Sequence, residues 1–176
     1  VMSFMGLATY YRKFVQDFAA IAAPLTDLTS KSKPWQWGER EQGAFQKLKD
    51  ALTTTPVLGF PEDEGRFIVF SDASIHSVGA VLHQMQKGGE RVIFYASHKL
   101  NGAERGYSMP KLECLGVIFA LKTFQHFLEG REFTLYTDAK ALLSIQSHTQ
   151  KDKQFITWGV LINQFRGMTM AHRAGT

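Results

Sequence analysis

The sequence predicts an α/β fold: a mixed five-stranded sheet with flanking helices, preceded by a small helical subdomain. Three observations carry that expectation. The apolar spacing changes from helical to strand-like near residue 60. Two strand-like runs close in the same way, Phe67-Ile68-Val69-Phe70-Ser71-Asp72-Ala73 and Phe133-Thr134-Leu135-Tyr136-Thr137-Asp138-Ala139. Between them lies a long helical pattern, the crossover that a parallel pair of strands requires.

Residues 1 to 58 read as helical. Phe4, Leu7, Tyr10, Tyr11 and Phe14 recur at three- and four-residue steps, and a second short helix is opened by Pro24 in its first turn. A third runs from about Glu39 to Leu52, with Phe45, Leu48 and Leu52 on one stripe. Ser30-Lys31-Ser32-Lys33-Pro34-Trp35, between the second and third, is a polar loop. Pro56 and Pro61 mark a boundary, so the expected domains are a helical segment over 1–60 and a sheet domain over 61–176. Strands are expected at 66–72, about 77–86 and 91–97, the last two joined by Lys87-Gly88-Gly89-Glu90, whose paired glycines suit a hairpin. A helix follows from Ala103 or Glu104 to Glu129, capped by Gly130 in a left-handed conformation. Next come a strand at 133–138, a short helix from Ala139, a helix from about Lys153 to Phe165, and a last strand near Met168 to His172.

Composition narrows the class. With 44% hydrophobic and 20% charged residues, the chain is built to fold rather than to stay disordered. Its formal net charge of +4 suits a phosphate-rich partner without requiring one. The lone Cys114 forms no internal disulfide and sits in an apolar helical pattern, as a small core residue does in a reducing compartment. No window reaches the roughly 18 apolar residues of a membrane helix, and the first residues lack the order of a signal peptide. His83, His98, His126 and His148 have no metal-ligand spacing, so zinc is not expected. The chain opens without Met inside an apparent helix and stops just after an apparent strand, so both ends read as cut from something longer.

The chemistry lies in three acids. Parallel neighbouring strands end at one sheet edge, which places Asp72 and Asp138 together in the crevice where α/β sheets bind ligands. Glu113 shares a helix face with Gly116, Val117 and Ala120, small residues that let the helix approach the sheet. Clustered carboxylates repel one another unless hard cations lie between them. That pattern points to two-metal phosphoryl transfer, with Asp72 as the bridging ligand. Each acid taken singly has an ordinary alternative: Asp138 as a helix cap, Asp72 as a turn residue before Ser74, Glu113 as a solvated helix position.

These residues resemble the ribonuclease H domain of reverse transcriptases from gypsy-type LTR retrotransposons, preceded by the end of the thumb or connection. Phe4-Met5-Gly6-Leu7, Tyr10-Tyr11-Arg12-Lys13-Phe14 and Ile21-Ala22-Ala23-Pro24-Leu25 are similar to the thumb-to-connection stretch, continued by Trp37, Phe45, Leu48, Leu52 and Pro56-Val57-Leu58. Ser71-Asp72-Ala73-Ser74, Gly79-Ala80-Val81-Leu82, Tyr95-Ala96-Ser97 and Leu100 resemble the start of the nuclease. Glu104-Arg105, Tyr107-Ser108, the Glu113 helix, Phe127-Leu128, Gly130 and Thr137-Asp138 keep the register to His172-Arg173. The order of acids, with Glu113 before Asp138, is that of ribonucleases H rather than of integrases.

The resemblance implies Mg²⁺ at Asp72, Glu113 and Asp138, with Mn²⁺ able to substitute. It implies cleavage of the RNA strand of an RNA/DNA hybrid, leaving a 3′-hydroxyl and a 5′-phosphate. It also implies a polymerase domain in the same polyprotein and an intracellular setting, cytoplasm or virus-like particle. Hybrid recognition works through phosphates and groove shape, for which Ser74, His76, Lys99, Asn101, Arg105 and Lys140 are the candidates. Tyr10, Tyr11, Arg12 and Lys13 are placed to grip duplex or to form core, and Trp35 and Trp37 to pack between the two parts. The competing reading is a non-catalytic, connection-like or domesticated module that keeps the fold for binding. The family's fourth acid, an Asp in a last helix, lies beyond the segment equivalent to His172-Arg173-Ala174-Gly175-Thr176, and Ala139 stands where many members carry His. Cleavage by residues 1–176 alone is therefore expected to be weak or absent and to appear when that helix is appended. Equal cleavage of a labelled hybrid with and without it would contradict the assignment.

Overall fold

The computed structural model describes residues 1–30, 34–53, 58–137 and 153–172. Strand β1 (Phe67–Ala73) pairs antiparallel with β2 (Ser77–Gln86), and β2 antiparallel with β3 (Gly89–Lys99). On its other side β1 pairs parallel with β4 (Phe133–Thr137), which pairs parallel with β5 (Met168–His172). The sheet order is β3-β2-β1-β4-β5, the mixed arrangement that the sequence predicts. The β2–β3 reversal places Gln86 opposite Gly89, whose φ of 103° is open to glycine and strained for other residues.

Alternation decides which sheet face is covered. Phe67 and Val69 of β1 and Val78, Ala80 and Leu82 of β2 are buried, and the register sets Val69 beside Leu82 and Ser71 beside Ala80. Against this face helix α4 (Met109–Leu128) sets Val117, Ala120, Leu121 and Phe124. Helix α5 (Lys153–Asn163) completes the core with Phe155, Trp158 and Ile162. Each buried Val, Leu, Ile or Phe side chain among these contributes about 1.5–3 kcal/mol.

The long helix expected from Ala103 or Glu104 is divided. Glu104–Gly106 form a 3-10 turn, Tyr107 and Ser108 are extended, and α4 starts with Pro110 at its second position. A proline ring clashes with the carbonyl four residues earlier, so the helix cannot run through Gly106 and begins where the missing N–H is not needed. The other end follows expectation, with Gly130 in the left-handed region at φ 73°.

The helical segment comprises α1 (Met2–Tyr10), a 3-10 turn at Arg12–Phe14, α2 (Phe18–Asp27) and α3 (Glu39–Thr53). Met5, Ala8, Val15, Phe18, Ala22, Leu25, Ala44 and Leu48 form a core separate from that of the sheet. Pro24 lies inside α2 rather than opening it, because the helix starts at Phe18 after a left-handed Asp17. Trp35 and Trp37 do not pack between the two parts. Their rings meet at 5.9 Å, and Trp37 lies 6.0 Å from Phe45 of α3 and donates to Gln42 Oε1, so an aromatic partner within the segment holds them.

Polar bonds dock the segment on β3. The Arg12 guanidinium donates to the Ser97 carbonyl, Ala19 N donates to Ser97 Oγ at 2.8 Å, and Lys99 Nζ pairs with Asp27 at 2.6 Å. Elsewhere the fully buried Gln84 holds the approach to β1. Its Nε2 donates to the carbonyls of Glu62 (2.8 Å) and Glu64 (3.1 Å), and its Oε1 accepts from Glu62 N (2.9 Å). Gln84→Leu strands those groups and is expected to lower stability by about 1–3 kcal/mol, read from urea midpoints. An unchanged midpoint would contradict that account.

Candidate active site

The site starts from one close approach. Gly116 is buried on the face of α4 that meets β1, and a Cβ built there would lie 3.3 Å from the Asp72 carbonyl oxygen and 3.8 Å from the Ala73 Cβ. A larger residue would hold the helix away, so glycine sets the spacing. Leu112, near the start of α4, packs with Val78 and Ala73 at the carboxyl end of β1. Glu113 follows it, one turn before the Gly116 contact, and its Oε2 is shielded from solvent. The helix thus brings Glu113 to the end of the strand that carries Asp72.

Asp72 is exposed, in the last but one position of β1 and opposite Gly79 of β2. Alternation turns Ser71 and Ala73 toward α4 and Asp72 to the other face, beside Gly79, so Asp72 and Glu113 approach the end of the strand from opposite faces of the sheet. The third expected acid, Asp138, lies outside the described residues, as does Lys140. The β1–β4 register is described as far as Phe70 opposite Tyr136, two residues short of Asp72 and of Asp138. Among the described residues, no group of three His, Cys, Asp or Glu side chains is arranged to hold a metal. The donors present are hard carboxylate oxygens, which fit Mg²⁺, a cation that binds through one or two carboxylates and completes its shell with water and phosphate.

Sequence reasoning missed Asp17. It is the one non-glycine residue with positive φ (53°) among the described residues, and its Oδ1 lies 3.5 Å from the position of a Cβ on Gly79. That puts its carboxylate on the face of Asp72. Burial, and secondarily the Asp72 charge, raise the Asp17 carboxyl above the ordinary aspartate range. In the sequence Asp17 reads only as an acid before an apolar helix, and nothing local connects it to residue 72. Cys114 is inert by the same physics: burial, with the Glu113 carboxylate adding to it, pushes its thiol up to about 12.

The expected nucleic-acid contacts are divided. Ser74, His76, Asn101 and Arg105 are exposed. The Ser74 hydroxyl accepts from Ser77 N at 3.0 Å and shapes the β1–β2 turn, while Asn101 Oδ1 accepts from Ala103 N and Glu104 N. Arg105 Nε donates to the Leu100 carbonyl at 3.3 Å. Lys99 and Arg12 serve the docking of the helical segment, since Asp27 and the Ser97 carbonyl engage their charged groups.

A mixed sheet in this strand order, with a crossover helix laying a glutamate at the end of its central strand, defines a ribonuclease H-like domain. The chain belongs to the family of RNase H-like domains found in reverse transcriptase, whose sequence pattern matches residues 37–135. It is 36% identical over 177 residues to the retrovirus-related Pol polyprotein from transposon gypsy of Drosophila melanogaster, covering 93% of this chain and 17% of the relative. It is 33% identical over 167 residues to the corresponding polyprotein from transposon 297 of the same organism, covering 94% and 15%. The chain thus spans less than a fifth of the length of these relatives. In structure it is similar to the foamy viral protease-reverse transcriptase solved with an RNA/DNA hybrid, at a TM-score of 0.78 and 22% identity, covering 99% of this chain and 24% of that one. The resemblance to gypsy-type reverse transcriptases and the expected fold are both borne out.

The close contact gives a test of the site. Gly116→Val is expected to lower stability by about 1–3 kcal/mol through overpacking. Gly43→Val in α3, where an added Cβ meets nothing within 4 Å, should change it little. Equal effects in denaturant titrations would contradict the contact.

Proposed function

We propose that this domain hydrolyses the RNA strand of RNA/DNA hybrids, within a polyprotein that also carries the polymerase. The observation that carries this is the Gly116–Asp72 approach, which brings Glu113 to the strand end bearing Asp72 in a chain of this family. Asp72, Glu113 and Asp138 would hold Mg²⁺, or Mn²⁺ in its place. Bound there, such cations supply Lewis acidity to the attacking water and the departing 3′-oxygen.

The protein's own part is placement. Asp72 is solvent-accessible, so it can meet a scissile phosphate. Glu113 stands on a packed helix, which fixes its backbone position before the substrate arrives. Ser74, His76, Asn101 and Arg105 offer donors along the same end of the sheet for phosphates and 2′-hydroxyls. Lys140 and Asp138 complete this reading, and the parallel pairing of β1 with β4 supports the membership of Asp138. Among the described residues no helix is long and apolar enough to cross a membrane.

The test is cleavage of a labelled hybrid by the enclosing reverse transcriptase. Asp72→Asn and Glu113→Gln should each reduce cleavage by more than about 100-fold, beyond the range typical for groups that only orient ligands. DNA synthesis should persist. Cleavage retained in both variants, with a melting midpoint indifferent to Mg²⁺, would sink the proposal and favour the non-catalytic module.

A further inference from the structure

The helical segment and the sheet domain meet where two like charges face each other. Asp17 belongs to the segment and Asp72 to the sheet, and the residue between them, Gly79, has no side chain to screen one from the other. The polar bonds that dock the segment lie beside this spot. Ser97, which accepts from Arg12 and from Ala19 N, is the cross-strand partner of Gly79. Asp17 caps the start of α2 in a left-handed conformation, and Ala19 in the first turn of that helix is bonded to β3.

From this juxtaposition we propose that Asp17 is a positioning residue through which docking of the helical segment and cation binding at Asp72 reinforce each other. Without a cation, two carboxylates on one face oppose docking. A divalent cation at Asp72 reverses the sign, so that Asp17 is drawn toward the sheet and the cation gains a second negative neighbour. The coupling is reciprocal by linkage: whatever the segment adds to cation affinity, the cation adds to docking. This rests on Asp72 being a cation ligand, as proposed above, and goes beyond it by giving the preceding segment a share in the site.

Asp17→Asn tests it cleanly. Asparagine is isosteric and adopts the left-handed region readily, so the variant keeps the fold. Two measurements on the intact chain decide the matter: calorimetric titration with MgCl₂ or MnCl₂, and hydrogen exchange of the Ala19 amide and its neighbours in α2. In the unsubstituted protein the cation should raise protection of α2. In Asp17→Asn, protection without cation should equal or exceed the original, the cation-induced gain should vanish, and cation affinity should fall roughly fivefold, the low end of typical coupling. Unchanged affinity together with an undiminished gain in protection would overturn the inference while leaving the ligand assignment intact, provided Asp72→Asn abolishes the binding. If the unsubstituted protein binds no divalent cation, both readings fall.

Discussion

The arrangement of this domain depends on the distance between one helix and one strand. At Gly116 the backbone of β1 comes so near α4 that a single methyl group would touch the Asp72 carbonyl oxygen at 3.3 Å. Everything nearby follows from that spacing. It seats Leu112 on Ala73 and Val78, fixes the rotation of α4, and commits Val117, Ala120, Leu121 and Phe124 to the inner face of the sheet. It also determines that the acid one turn earlier arrives at the strand's end. A side chain on a helix is placed reproducibly only if the helix has one possible position, and close packing at a glycine provides that more stringently than a layer of large flexible side chains.

Much of this was legible in the residues. Period-two alternation in β2, where Val78, Ala80, Leu82 and Gln84 are buried, survives folding because one face is covered and the other is not. Gly130 and Gly89, the second of the paired glycines after Lys87, act as positive-φ positions that few other residues tolerate. Where the fold departs from the pattern, the cause is local. Glu104-Arg105 has helical propensity, yet the reach of the Pro110 ring back to Gly106 overrides it and α4 starts later. Pro24 stands most commonly at a helix start, whereas α2 begins at Phe18. Nothing in the linear pattern shows that Phe45 offers its ring to Trp37.

Charged side chains were harder to read than apolar ones. Lys99 and Arg12 look like phosphate contacts by type, but Asp27 and the Ser97 carbonyl take them up, and those partners lie far along the chain. Asp17 shows the reverse. It carries no motif and is unremarkable among its neighbours, yet tertiary structure sets it on the face of Asp72. Apolar periodicity is a local signal repeated many times, whereas the partner of a single charge is decided by topology.

The two cores remain distinct, and among the described residues polar contacts of β3 with the helical segment link them. These contacts are part-buried, and a single hydrogen bond adds about 0.5–1.5 kcal/mol beside the larger sum of buried apolar area in each interior. Each interior is therefore complete without the apolar side chains of the other, so a substitution that damages one leaves the packing of its neighbour intact.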